Sequence, residues 1–276
     1  MTQPPPEDLL VRYDAFLFDL DGVLYRGSAA VDGAVEAVRA VRAAERPVVF
    51  VTNNATRTPE DVASFLRELG FDATPEEVVT SAIATAAMLS PRAGASAFVL
   101  GERGLREALI SAGIDVLDGD PERADFVVVG LDRGVTYAKL KRATLLVQRG
   151  AELVASNPDR TFPQTDGLWP GAGALLAAVE AATGATPTVV GKPYPPLFET
   201  ARDRARSRKP LVVGDRIDTD IAGANALGWD SLLVLTGVTT ESDLAALTEK
   251  PTYVAADLGF LARLNRNAAP EEEREG

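Results

Sequence analysis

Phe16-Leu17-Phe18-Asp19-Leu20-Asp21-Gly22-Val23 is the stretch on which the fold turns. An apolar run of strand length ends abruptly in two carboxylates at i and i+2, which a strand projects to the same side. Gly22 lets the backbone leave the strand sharply. At about 4 Å and an effective dielectric near 20, two such anions repel by roughly 4 kcal/mol. Either a divalent cation offsets this or one carboxyl keeps its proton. The plain alternative is an Asp-Gly turn after a strand, with Asp19 serving as a cap.

Outward from this stretch, short apolar runs alternate with segments of helical period. Strands are expected at Ala15–Phe18, Val48–Val51, Ala97–Leu100, Phe126–Gly130, Leu153–Ala155, Thr188–Val190, Leu211–Val213 and Leu232–Leu235. Val35, Val38 and Val41 mark one helix. Val62, Phe65, Leu66 and Leu69 mark another, opened by Thr58-Pro59-Glu60-Asp61 and closed by Gly70. Thr74-Pro75-Glu76-Glu77 fits a capping box at the start of a further helix. This alternation predicts an α/β protein with a doubly wound, Rossmann-like parallel-sheet core. The strands before about residue 82 and after about residue 187 end in chemically loaded loops, and those between end in plainer sequence. In parallel sheets, sites lie at the carboxyl ends of strands. The expected domains are therefore a discontinuous catalytic core over 9–82 and 187–266 and a smaller inserted α/β cap over 83–186. Residues 1–8 and the acidic tail 267–276 are expected to be disordered.

Composition narrows the chemistry. Among 276 residues there is no Cys and no His, with 46% hydrophobic and 25% charged residues. That excludes disulfides, thiolate nucleophiles, Ser-His-Asp hydrolases and histidine-based zinc or phosphatase sites. What remains is carboxylate, hydroxyl, amide and lysine chemistry with hard metals. A net charge of −12 argues against nucleic-acid and anionic-membrane partners. No apolar stretch reaches membrane-spanning length and the Pro-rich start lacks the pattern of a signal peptide, so the cytoplasm is the expected location. An acidic enzyme acting on an anion would need local positive charge.

Three further constellations follow apolar runs. In Gly214-Asp215-Arg216-Ile217-Asp218-Thr219-Asp220, Asp215 stands at a strand end and Asp220 in the first turn of the next helix, with Asp218 or Thr219 as its N-cap. Capping accounts for one acid but not three, whereas oxygen ligands on loops suit magnesium. Thr52-Asn53-Asn54 offers a hydroxyl, amides and backbone N–H groups to a phosphoryl oxygen, although Asn-Asn is also a common turn. Lys192, between Gly191 and Pro193 at a strand's end, reads first as a solvated surface charge, although that setting is unusual for one.

Taken in order, Asp-x-Asp-Gly, Thr-Asn-Asn, Lys and Gly-Asp-x4-Asp resemble the four motifs of the haloacid dehalogenase superfamily over nearly the whole chain. About 138 residues between Asn54 and Lys192 leave room for a large cap. Together with Ser156-Asn157-Pro158-Asp159 and Pro170-Gly171-Ala172-Gly173, this resembles the NagD and para-nitrophenyl-phosphatase branch and, within it, bacterial glycerol-3-phosphate phosphatases. The resemblance implies a Mg²⁺-dependent phosphatase working through an aspartyl-phosphate. Asp19 would be the nucleophile and Asp21 the general acid, then base. Mg²⁺ would be held by Asp19, the Asp21 carbonyl and Asp215, with Asp220 behind them. Thr52, Asn53, Asn54 and Lys192 would hold the phosphoryl group. Small phosphate monoesters, glycerol 3-phosphate or sugar phosphates first, are the expected substrates. Nucleoside monophosphates or pyridoxal phosphate are alternatives, as is a non-catalytic phosphate- and magnesium-binding module. Caps of this branch often mediate dimers, so a homodimer is an open expectation. Gly171-Ala172-Gly173 reads as a flexible helix start or a substrate contact, and Asn157 and Asp159 as a turn or a hinge.

Overall fold

Eleven segments have the apolar, β-branched composition that favours extended chain, and they form two parallel sheets in the computed structural model, which describes residues 3–246 and 250–268. In chain order the strands are β1 (Ala15–Asp19), β2 (Val48–Thr52), β3 (Val78–Thr80), β4 (Ser96–Leu100), β5 (Asp115–Leu117), β6 (Phe126–Val129), β7 (Glu152–Ala155), β8 (Thr188–Val189), β9 (Pro210–Gly214), β10 (Ser231–Val234) and β11 (Tyr253–Ala255). The first sheet runs β11-β10-β9-β1-β2-β3 and the second β8-β7-β6-β4-β5. Two antiparallel hairpins, Tyr25–Arg26 with Ala29–Ala30 and Thr161–Gln164 with Gly167–Pro170, stand outside both.

Internal packing resolves the chain into two units. One comprises Met1–Val51, Ala63–Val78 and Ala201–Gly276, and the other Thr52–Val62 and Val79–Thr200. In the first, β1 pairs in parallel with β9 on one side and β2 on the other, Phe16 opposite Leu211 and Val48. Phe16, Leu17, Phe18, Val212 and Val213 are all buried, which is why these strands read as unbroken apolar runs rather than alternating ones. The strand order reverses on either side of β1, so its carboxyl end is a topological switch point. In the second unit, Phe98, Leu100, Val127 and Val129 pack with Leu146 and Leu176 from the helices Tyr137–Gln148 and Ala172–Thr183.

Local signals explain the helix starts. The helix Pro59–Glu68 opens with a reciprocal box: Thr58 N donates to Asp61 Oδ2 at 2.9 Å and Asp61 N to Thr58 Oγ1 at 3.2 Å. Gly70 follows it at φ +93°. The Thr74–Glu77 box also forms, but around a single 3₁₀ turn, Pro75–Glu77. The expected helix does not follow there, because Val78-Val79-Thr80 extends into β3 and the next helix starts at Ser81, capped by Thr80.

Three expectations change. Thr188–Val189, assigned from sequence to the core, pairs with β7 in the second sheet. The β3, β5 and β11 strands had no sequence assignment. Gln3, expected in a disordered tail, bridges to Tyr253, and Val254 N donates to its carbonyl at 3.1 Å. Residues 269–276, most of the expected C-terminal tail, lie outside the described residues, and Asn267 and Ala268 end the helix Gly259–Ala268.

Candidate active site

In the first unit, β1 delivers Asp19 at its last position, half-buried, and Asp21 follows two residues later, exposed. The loop between them and Tyr25 is a tight turn: Gly22 N donates to Tyr25 O at 2.8 Å and Leu24 N to Leu20 O at 2.8 Å. It brings the Tyr25 hydroxyl to Asp21 Oδ2 at 3.3 Å, with the Tyr25 ring set edge-on to Phe65 at 5.0 Å between centroids.

The neighbouring strand β9 ends at Gly214 and hands over to Asp215, which is 1% exposed. The chain then winds through a π-helical turn, Ile217–Ile221, in which Ile221 N reaches Arg216 O at 3.2 Å. Such turns insert one extra residue and recur at functional sites because they re-aim side chains. Here the turn carries Asp220, also 1% exposed, back towards Asp215. A Cβ on Gly214 would fall 2.5 Å from Asp220 Oδ2 and closer still to its Cβ, so the glycine of Gly-Asp-x4-Asp makes room for the second acid. The expected capping by Asp218 or Thr219 is absent: Arg216 is the N-cap, and Asp218 pairs with its guanidinium at 2.7 and 3.0 Å. That pairing holds the Asp218 carboxyl below its ordinary range. Asp215 takes no part in capping, and Asp220 takes part only by accepting the main-chain N–H of the N-cap residue.

Carboxylate oxygens of Asp19, Asp215 and Asp220 lie within 4.8 Å of one another. Three anions so close, two of them buried, are compatible only with protonation or a cation among them. An all-oxygen, all-carboxylate donor set fits a hard divalent ion such as Mg²⁺. Asp215 is seated from the far side as well, by Val238 N donating to its Oδ2 at 2.6 Å. Asp220, expected behind the metal ligands, belongs to the side-chain cluster itself, and its Oδ2 accepts from Arg216 N at 3.2 Å. The Asp21 side chain is outside that cluster.

The second unit holds the polar residues. Thr52 Oγ1 accepts from Asn54 N at 3.1 Å, which leaves its hydroxyl proton to be donated elsewhere. Asn54 is exposed, and its Oδ1 accepts from Thr56 N and Oγ1 at 2.9 and 2.7 Å. Asn53 is turned inward to the Lys192 main chain and Asp159. Lys192 is 3% exposed, so the reading of it as a solvated surface charge fails. Gly171 and Gly173 prove to be sites of close approach: a Cβ would come 3.1 Å from Asp159 C and 2.6 Å from Pro158 C, respectively, and nearer to their oxygens. The contribution of Tyr25 carried no sequence signal, since it arises from a turn that returns it to Asp21.

A carboxylate cluster at the switch point of a parallel sheet is the arrangement of an α/β enzyme. Residues 16–115 match the haloacid dehalogenase-like hydrolase model, and residues 189–261 match a second model of HAD-hydrolase-like type. The chain is 43% identical over 261 residues to acid sugar phosphatase of Staphylococcus haemolyticus (strain JCSC1435), spanning 93% of this chain and 98% of that relative. It superposes with a TM-score of 0.87 and 41% identity on glycerol phosphate phosphatase from Mycobacterium tuberculosis, solved in complex with magnesium, covering 93% of this chain and 78% of that one. It also superposes on 4-nitrophenylphosphatase from Thermotoga maritima, with a TM-score of 0.84, 34% identity and coverage of 92% and 98%. The chain belongs to the haloacid dehalogenase-like hydrolase family. Among the described residues, no helix is long and apolar enough to cross a membrane.

Proposed function

We propose that this protein is a Mg²⁺-dependent phosphatase of small phosphate monoesters, with glycerol 3-phosphate and sugar phosphates as the leading substrate class. The observation that carries the reading is the cluster of Asp19, Asp215 and Asp220 within 4.8 Å at the end of β1 and β9, with Asp21 two residues from the first of them. The names of the relatives supply the substrate class.

In this reading the Asp19 carboxylate attacks phosphorus and the ester P–O bond breaks, leaving an aspartyl-phosphate. Asp21, protonated, gives its proton to the departing alkoxide, which leaves as the alcohol. Water then attacks phosphorus, Asp21 takes its proton, and the acyl-phosphate P–O bond breaks to return Asp19 and release inorganic phosphate. Asp19, the Asp21 carbonyl and Asp215 hold Mg²⁺, with Asp220 at their side. When bound, the ion neutralises the carboxylates and the phosphoryl oxygens. Thr52, Asn54, the main-chain N–H of Asn53 and Lys192 bind the phosphoryl oxygens, and Lys192 supplies local positive charge in an acidic protein. Residues 83–186 act as the cap that selects the leaving group, and the catalytic core comprises 9–82 and 187–266, with β8 as the boundary strand. A cytoplasmic location and a homodimer complete the proposal, to be tested by cell fractionation and sedimentation.

Phosphate release with Mg²⁺ over a panel of glycerol, sugar, nucleoside and pyridoxal phosphates tests it. Asp19→Asn is expected to lose activity by at least about 10³-fold, and chelation to abolish it reversibly. Equal turnover in wild type and Asp19→Asn, or indifference to EDTA, would sink the reading. A preference for nucleoside or pyridoxal phosphate would move the substrate class without touching the chemistry.

A further inference from the structure

Asn53 was expected to grip phosphoryl oxygens, but its side-chain amide is turned to the protein itself. Its Oδ1 accepts from Lys192 N at 2.7 Å, and its Nδ2 donates to Lys192 O and to Asp159 Oδ2, both at 3.1 Å. An asparagine amide has two donor hydrogens and a carbonyl oxygen, so these bonds use both donors, the groups a phosphoryl oxygen would need. One side chain thus reads both main-chain polar groups of the lysine and the carboxylate of Asp159. The Asn53 carbonyl is tied in turn, accepting from Ser81 Oγ at 2.6 Å and Asn157 Nδ2 at 2.8 Å. Asn157 Oδ1 accepts from Asp159 N at 3.1 Å. Four chain segments, those following β2, β3, β7 and β8, therefore meet on one residue.

The fit is close on the lysine side. A Cβ at Gly191 would fall 2.6 Å from Asn53 Oδ1 and 2.6 Å from Ser156 O, so any side chain there would force the two segments apart. Only two residues of β8 precede this junction, which is too short a strand to hold Lys192 in register by its own ladder bonds. A lysine stem also has four rotatable bonds, and its ammonium can be aimed only from a fixed backbone.

We propose that Asn53 is a positioning residue for Lys192, acting through the lysine main chain and anchored by Asp159 and Asn157, and that it holds no phosphoryl oxygen with its side chain. The inference rests on the phosphatase reading in one respect, that Lys192 neutralises the phosphoryl group. Misplacement of a catalytic group by about 1 Å costs on the order of 10²-fold in rate.

The test is a double-mutant cycle on the full chain: Asn53→Ala, Lys192→Ala and both together, with kcat/KM, the inhibition constant for inorganic phosphate and the Mg²⁺ half-saturation measured for each. Asn53→Ala is expected to lower kcat/KM by on the order of 10²-fold and to weaken phosphate inhibition at least about tenfold, with Mg²⁺ half-saturation unchanged. The double variant should match Lys192→Ala within about threefold, because residues that act as a unit are non-additive. Asn53→Asp keeps the volume but turns acceptors towards Lys192 O and Asp159. It should be at least as impaired as Asn53→Ala and carries the same comparison should the smaller residue not fold. Full additivity in the cycle, or wild-type phosphate inhibition in both Asn53 variants, overturns the proposal. Wild-type activity in Lys192→Ala would instead overturn the role of the lysine and with it the phosphatase reading of this segment.

Discussion

Gly237 gives the sharpest test of the carboxylate cluster, because it holds no chemistry and touches the site only by its size. A Cβ there would fall 2.5 Å from Asp215 Cβ and closer still to its carboxylate. Ordinary carbon contacts lie at about 3.5–4.0 Å, so Gly237→Ala must drive the Asp215 side chain aside by about 1 Å or shift the loop that carries Val238. The displaced carboxylate would also strain the 2.6 Å bond from Val238 N to Asp215 Oδ2, which now fixes its orientation. Mg²⁺ demands near-ideal octahedral ligands at about 2.0–2.1 Å, so a displacement of that size removes a ligand in effect. Losing a group that orients a metal ligand typically costs about 10–100-fold in metal affinity, and losing the ligand itself costs no less. The expected outcome is a rise of about 10–100-fold in the Mg²⁺ concentration for half-maximal phosphate release, with much of kcat recovered at saturating metal. Calorimetric titration of Mg²⁺ should show the same shift in substrate-free protein, and a thermal melt confirms that the variant is folded. A folded Gly237→Ala protein whose crystal structure shows Asp215 displaced but whose Mg²⁺ half-saturation is unchanged would refute Asp215 as a ligand and the cluster as a metal site.

Two further predictions concern stability. Asp61 has its carboxyl pushed down to about 2, first by the Thr58 N–H it accepts and then by its ion pair with Arg103, against an opposing cost of burial. A folded-state value below the ordinary ~3.9 means the stabilisation is fully present above about pH 4 and lost as pH falls through about 2. Asp61→Asn should therefore destabilise by about 1 kcal/mol near neutrality, with the gap from wild type closing between about pH 4 and pH 2; melting curves that stay parallel across that range would contradict the assignment. Leu146 is fully buried against Leu176 and Val127 in the second unit, so Leu146→Ala should cost about 2–5 kcal/mol in denaturant unfolding, and a loss under about 1 kcal/mol would mean the cluster is not packed as described.

What could be read from the sequence divides along a physical line. The central strands β1, β2, β4, β6, β7, β9 and β10 are buried on both faces, so local composition alone marks them, and each acidic motif is legible as the abrupt end of such a run. The unassigned strands β3, β5 and β11 are edge strands of three residues each, too short for local composition to mark them. The two-residue β8 is an edge strand as well, and its membership of the second sheet is decided by Thr188 meeting Val154, a contact with no trace in local sequence. Asn53 carries the same lesson into the site. A polar amide at the end of an apolar strand looks like a ligand for something that arrives from solution. Its donors and acceptor are equally suited to a peptide group, and the approach of residues 191–192 after a long excursion decides that the protein's own backbone takes them. The acids of the cluster are less ambiguous: like charges cannot satisfy one another, so Asp19, Asp215 and Asp220 call for either a shared proton or a cation among them.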